Sequence, residues 1–165
     1  MPLLVRLGTL LSDIYPADVY QRHREPAGWQ WRPHTGQHRF MLHEPADDSY
    51  QPVLKVSISG HISDDRVHSA MKGPCSIWEI TVNDPGNDFL RSRQLLAEFR
   101  ALCRKVYDLI KLKHGQQALL HVFPAMPVSA ALEFGRARMP KADLPMLLYD
   151  QNKVSNSFVP TIKII

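Results

Sequence analysis

Two short segments of the sequence combine residue types that a small-molecule site would need. The segment Ser57–His61 has a glycine, which permits a tight turn and a close backbone approach, and serine hydroxyls that can donate or accept hydrogen bonds. In Phe123–Ala131 an apolar run stops at Phe123, and Pro127 suits the first position of a helix. The free N–H groups of that first turn would favour a phosphate or a base acceptor. Helix packing alone would also select small residues there, so a structural explanation stays open.

The sequence gives no support for other kinds of nucleotide, catalytic or metal site. It contains no G-x-G-x-x-G dinucleotide fingerprint, no P-loop and no G-x-S-x-G elbow. His61 follows a strand end and is the better functional candidate, whereas His121 lies in an apolar strand and is expected to be a hydrogen-bonded core residue. No catalytic constellation follows from spacing, so we predict no enzyme, no cofactor and no metal. The other histidines considered fit no zinc spacing; they are His23, His34, His38 and His43.

The elements that position these segments alternate between strand and helix patterns. We predict one α/β fold with a Rossmann-like, mostly parallel sheet flanked by helices. In such sheets, ligands bind outside the carboxyl ends of the strands. The predicted strands are Val53–Gly60, Ser76–Val82, Ala118–Phe123, Met146–Asp150 and Phe158–Ile164. The predicted helices run from about Ser63 to Ala70, from 89 to 113 with a stop at Gly115, and from Pro127 to Arg138.

Residues 1–50 read as an N-terminal lead-in packed on the core, with a short helix or irregular segment at 1–22. Short strands or extended segments are predicted at Trp29–Trp31 and Phe40–His43. Cys75 and Cys103 have no metal or redox spacing, and Cys103 falls in the apolar pattern of the long helix, so no disulfide is expected.

The 165-residue chain is long enough for one buried core, and its composition is that of a soluble protein. Neither a signal peptide nor a membrane span is expected, which predicts a cytoplasmic location. A net charge of +4 and a pI of about 9.2 fit an anionic partner such as a small nucleotide. The Arg and Lys residues form two loose sets in the sequence. The second set falls on the predicted long helix and is best explained as a solvated face. The two sets are Arg22, Arg24 and Arg32, and then Arg91, Arg93, Arg100, Arg104 and Lys105.

The block His121–Arg136 resembles the most characteristic stretch of the SAVED domain, an aliphatic strand running into F-P-A-x-P-V-S-x-A and then a helix with G-R. The stretch Met139–Asp150 is similar to the family's next strand, which ends in Y-D/E. Upstream, Trp29-x-Trp31, Ser59-Gly60 and Trp78–Pro85 fit in order, so the likeness covers residues 29–165.

The resemblance implies a sensor module of bacterial anti-phage systems, both CBASS and type III CRISPR. SAVED domains bind cyclic oligonucleotides, often cyclic tri- or tetra-adenylate, in a pocket between two CARF-like Rossmann halves. They are fused to nuclease, TIR or protease effectors, which ligand-driven oligomerisation activates. Residues 51–165 resemble only the second half, with no effector. The chain would then be a fragment, pair with a separate first half, or dimerise to build one pocket.

Carried over from the family, the two segments are where this half would face its ligand. Ser59, Gly60 and His61 would touch a base or a ribose, and Pro124 to Met126 would shape an adenine pocket. The full set of expected ligand-binding residues is Ser57, Ser59, Gly60, His61, Phe123, Pro124, Ala125, Met126, Ser129 and Arg136. Two alternatives stay open: a ring nuclease that uses His61 or Ser59 to cleave the cyclic oligonucleotide, and an oligomerisation module that needs no ligand.

Overall fold

The computed structural model describes residues 1–11, 14–36, 39–152 and 154–165, and in these it contains four helices and six strands. The helices are α1 (Pro2–Leu11), α2 (Asp64–Met71), α3 (Arg93–His114) and α4 (Val128–Arg136). The strands are β1 (Phe40–His43), β2 (Gln51–Ser57), β3 (Cys75–Val82), β4 (Leu120–Ala125), β5 (Met146–Asn152) and β6 (Ser157–Ile164).

All six strands form one sheet in the order β1-β3-β2-β4-β5-β6. The four inner strands are parallel, and the two edge strands, β1 and β6, run antiparallel to their neighbours. Parallel strands are covered on both faces, and β2 and β4 are accordingly buried along almost their whole length. The predicted α/β, Rossmann-like fold is confirmed, with antiparallel edges added to a parallel centre.

One face of the sheet carries α1, α3 and α4 over the larger apolar core. The core residues of α3 follow the predicted helical spacing, and they include Phe99, Cys103 and Tyr107. The helix begins at Arg93 and not at 89, because the Ser92 hydroxyl caps it by accepting a hydrogen bond from the Leu95 N–H at 3.2 Å. It ends where predicted, at a glycine with a positive φ of 83°.

Among the described residues, the one helix on the opposite face is the short α2. A smaller apolar cluster lies there and includes Val53, Val67, Phe123, Tyr149 and Phe158. Polar side chains of β2 and β3 fill the rest of this face close to the carboxyl ends of the strands. The two faces therefore differ in chemistry as well as in the number of helices that cover them.

Two glycines let α1 and α4 cross in direct backbone contact. A Cβ added at Gly8 would lie 2.1 Å from the carbonyl oxygen of Leu132, and one added at Gly135 would lie 2.1 Å from that of Val5. The glycine of α4 therefore serves the contact with α1. The helix α4 also starts one residue later than predicted, with Pro127 as its N-cap, and ends at Arg136.

The lead-in wraps around the helical face before it enters the sheet as β1. Residues 14–21, here named the strap, pass over the groove between α3 and α4, where Ala17 and Val19 line a cavity with Leu96 and Arg136. The segment Trp29–Trp31 forms no strand; an isolated bridge pairs His23 with Gly28 just before it. The proposed division at residue 50 stays a prediction.

Candidate ligand-binding site

The carboxyl ends of β2 and β4 meet at the centre of one edge of the sheet. Ser57 lies opposite Ala125 in the register, and the N–H groups of Ile58 and Ser59 both donate to the Ala125 carbonyl, at 2.8 and 2.7 Å. The next loop along the edge is attached to the same place, because the Gly86 N–H donates to the Ile58 carbonyl at 2.9 Å. The two predicted segments therefore lie side by side.

The loop that follows β2, residues 58–63, offers the accessible part of this edge. Ser59 and Gly60 are half-buried, and His61 is exposed. A Cβ added at Gly60 meets nothing within 4 Å, and Gly60 has no positive φ. The turn itself therefore does not depend on a glycine at this position. The missing side chain instead leaves open space over the backbone, into which another molecule can approach closely.

The segment that ends β4 lies mostly in the interior. The Phe123 ring is fully buried and stacks on Tyr149, with ring centroids 4.3 Å apart. Pro124 is buried and Met126 is only 2% exposed, which leaves Ala125 as the half-buried member of the group. Three of these four side chains therefore support the edge from beneath and add little to its open surface.

The start of α4 is already occupied by a side chain of the lead-in. The Gln21 Oε1 accepts hydrogen bonds from both the N–H and the hydroxyl of Ser129, at 3.2 and 2.8 Å. Both residues are buried. The N–H group of Ser129, which we expected to be open to a phosphate, has a partner within the chain.

Arg136 lies at the other end of α4 and contacts the strap. Its guanidinium donates to the Tyr15 and Ala17 carbonyls at 3.2 and 3.3 Å and pairs with the Glu133 carboxylate at 2.6 Å. Only 6% of the residue is exposed. Arg136 therefore ties the helix to the lead-in.

The Ser57 side chain lies on the face of the sheet that α2 covers, among the polar side chains of β2 and β3. Its hydroxyl donates to Glu79 Oε1 at 2.7 Å, and its carbonyl accepts from the Thr81 hydroxyl at 3.2 Å. The residue is fully buried. Its hydroxyl is therefore used within the sheet.

The structure brings together three arginines beside the loop that follows β2, of which the sequence had indicated Arg24 and Arg91 only as members of separate basic sets. Arg24, Arg39 and Arg91 line an open cavity of about 630 Å³, as does Gly86, which bonds to that loop. Guanidinium groups suit phosphate oxygens. Carboxylates of Glu25, Asp84 and Asp88 line the same cavity, so its charge is balanced. The three arginines come from three separate segments, and no local pattern in the sequence connects them.

His121 is the hydrogen-bonded core residue that its place in an apolar strand predicts. His121 Nδ1 lies 2.9 Å from the Tyr149 hydroxyl, and burial lowers the pKa of this histidine. Cys75 and Cys103 are both free, and burial raises the pKa of each thiol. The described residues contain no group of three side chains that could hold a metal ion. His38 lies outside the described residues.

The basic residues of the long helix are engaged in ion pairs. Arg104 contacts the buried Asp143 carboxylate at 2.5 Å and Asp108 at 3.0 Å, and Arg100 lies 3.4 Å from Glu133. These contacts give Arg100 and Arg104 a structural role, whereas Arg91 precedes α3 and is not part of the helix. Among the described residues, no helix is both long and apolar enough to cross a membrane.

A mostly parallel sheet with helices on both faces defines the class of Rossmann-like α/β folds. Within that class, the sequence matches the profile of the SAVED family, described as the SMODS-associated and fused to various effectors sensor domain, over residues 1–164. The chain belongs to the SAVED family.

Solved structures of Cap4 SAVED/CARF-domain containing receptors from Acinetobacter baumannii share the fold. The receptor with the cyclic trinucleotide 2'3'3'-cAAA aligns with a TM-score of 0.64 at 11% identity, over 99% of this chain and 36% of the receptor. The receptor described without a ligand gives a TM-score of 0.61 at 12% identity over 99% and 34%. The one with 3'3'3'-cAAA gives 0.58 at 10% identity over 99% and 36%. The chain thus spans about a third of these receptors. Among curated proteins, no sequence matches it.

Proposed function

We propose that this chain is a sensor module that binds a cyclic oligonucleotide of the oligoadenylate type. The observation that carries the proposal is the match to a sensor-domain family over nearly the whole chain. A fold neighbour described with a cyclic trinucleotide supports the ligand class. The accessible loop at the central strand ends would give such a ligand a place to bind.

The ligand would lie against the loop that follows β2. Ser59, Gly60 and His61 would touch a base or ribose, with the half-buried Ala125 beside them. The other expected residues would act indirectly: Ser57, Phe123, Pro124 and Met126 would support the edge from beneath, and Ser129 and Arg136 would fix the lead-in. Arg24, Arg39 and Arg91 would supply charge to the phosphates at the neighbouring loop.

The module would signal without catalysis. A pocket between two halves would form with a second SAVED half or a second copy of the chain. Ligand binding would then favour oligomerisation and activate an attached or associated effector such as a nuclease, TIR domain or protease. We propose a cytoplasmic location for this assembly, where such a nucleotide would be made.

Isothermal titration calorimetry tests the proposal with 2'3'3'- and 3'3'3'-cyclic tri-adenylate and with cyclic tetra-adenylate. We expect saturable binding to the longest available form of the protein and none of linear tri-adenylate. A His61→Ala variant should bind about tenfold more weakly, since it loses one direct contact. Absence of binding with every cyclic ligand would overturn the proposal. Recovery of linear products after incubation would instead favour a ring nuclease.

A further inference from the structure

A buried lysine lies directly beneath the loop that follows β2. Lys55 belongs to the central strand and is only 3% exposed. Its ammonium group contacts three oxygen atoms: the Ile62 carbonyl at 3.2 Å, Asp64 Oδ1 at 2.5 Å and Glu79 Oε2 at 3.1 Å. All three donor positions of the ammonium group are thus used.

These contacts connect both sides of the loop. Lys55 comes from the strand that enters the loop, whereas Ile62 and Asp64 lie where the chain leaves it and α2 begins. At the entry, the backbone is fixed separately by the two hydrogen bonds to the Ala125 carbonyl. Between these attachments lie Ser59, Gly60 and His61, for which the structure gives no side-chain hydrogen bond among the described residues.

Glu79 fixes the lysine from the neighbouring strand. It lies opposite Lys55 in the β2–β3 register, and its second oxygen accepts from the Ser57 hydroxyl at 2.7 Å. A buried ion pair is weak support for stability, since desolvation can exceed the attraction between the charges. An apolar pair would fill this position at lower cost. The Lys55 ammonium group does provide one thing that an apolar side chain could not, which is a bond to the far end of the loop.

We infer that Lys55 is a positioning residue that fixes the loop in the conformation that binds ligand. This inference rests on the proposed function and deepens it. A loop ordered before binding loses less conformational entropy when the ligand arrives, so its affinity is higher. The residue acts through the loop and does not touch the ligand.

The test uses Asp64→Asn, which weakens the contact between the Lys55 ammonium group and the start of α2. Asp64 is mostly exposed, with 60% of its side chain accessible, so the fold should survive the change. The matched control is Asp65→Asn, which removes the same charge from the same first turn of α2 without a recorded contact to Lys55. We expect cyclic tri-adenylate to bind about three- to tenfold more weakly to Asp64→Asn and unchanged to Asp65→Asn.

A double-mutant cycle separates positioning from general stability. If the lysine acts through the loop, Asp64→Asn should cost more affinity in the wild type than in a His61→Ala background, because only the contacts of Ser59 and Gly60 then remain to be positioned. Equal losses in both backgrounds, or no loss in either, would overturn the inference. Lys55→Met serves as a second variant with the same expected pattern.

Hydrogen exchange of the free protein distinguishes the two possible failures. The amides of residues 59–63 should exchange faster in Asp64→Asn than in Asp65→Asn, and this measurement needs no ligand. Faster exchange together with a wild type that binds no cyclic oligonucleotide would contradict the proposed function but not the connection to the loop. Unchanged exchange would overturn the positioning role even if the ligand binds.

Discussion

The loop after β2 and the turn after β4 leave adjacent parallel strands at the same edge of the sheet, but their side chains have different surroundings. Gly60 and His61 face open space, whereas Phe123, Met126 and Ser129 are buried against the protein. A position at the strand ends therefore does not by itself make a residue available to a ligand. One segment offers contacts, and the other fixes the backbone on which they depend.

The largest expected effect comes from breaking the buried segment. Phe123→Ala removes a fully buried ring that stacks on Tyr149, and we expect it to lower the free energy of unfolding by about 3–5 kcal/mol. Urea denaturation measures the loss. The matched change in the other segment, His61→Ala, should leave the free energy of unfolding nearly unchanged. Similar losses from both variants would contradict the distinction between the segments.

A smaller effect is expected where the lead-in meets α4. Gln21→Leu leaves the N–H and hydroxyl of Ser129 without their shared acceptor in a buried position, at a cost of about 1–3 kcal/mol. Thermal unfolding should record a lower Tm. The double variant Gln21→Leu/Ser129→Ala should recover part of the loss, because one of the two unsatisfied donors is gone. No recovery would argue that the hydroxyl bond contributes nothing.

The variant Gly60→Ala tests the accessible loop through two measurements, its stability and its binding of cyclic tri-adenylate. Because the added methyl group meets no neighbour and the backbone has no positive φ there, stability should stay unchanged or rise by about 0.4–1 kcal/mol. Binding of cyclic tri-adenylate should weaken, since the methyl group occupies space next to the proposed ligand. If binding is also unchanged, the ligand does not approach this part of the loop.

The weakest effect that we predict is a loss of stability at mildly acidic pH. Burial lowers the pKa of His121 below its ordinary value of 6.5, so the unfolded chain binds a proton more readily than the folded one. Stability should therefore be fully present above pH 6.5 and decline as the pH falls below it. His121→Asn should reduce this decline in urea titrations at pH 7.5 and 5.5. His23 and His114, whose pKa values burial also lowers, should leave a remainder.

The strands and helices could be predicted because their patterns are local. The alternation from β2 to β6 follows from apolar runs and turn residues that adjoin one another in the chain. The edge that would bind a ligand followed from the fold class. What the side chains do there depends on partners far away: Ser129 bonds Gln21 across 108 residues, and Ser57 bonds Glu79 across 22. No local pattern contains such pairs, and the same is true of Gly135, whose partner α1 lies at the other end of the sequence.

The pairing of β2 with β4 also has a consequence for how the protein is made. These two central strands are neighbours in the sheet, but α2, β3 and α3 separate them in the chain. A chain emerging from the ribosome can pair β2 with β3 early, yet the edge that carries Ser59 and Gly60 has no Ala125 to hold it until β4 has emerged. Such distant pairings form slowly, because a long loop must close first. A nascent chain that ends before Leu120 would therefore contain β1, β2 and β3 but lack the strand that completes the proposed binding edge.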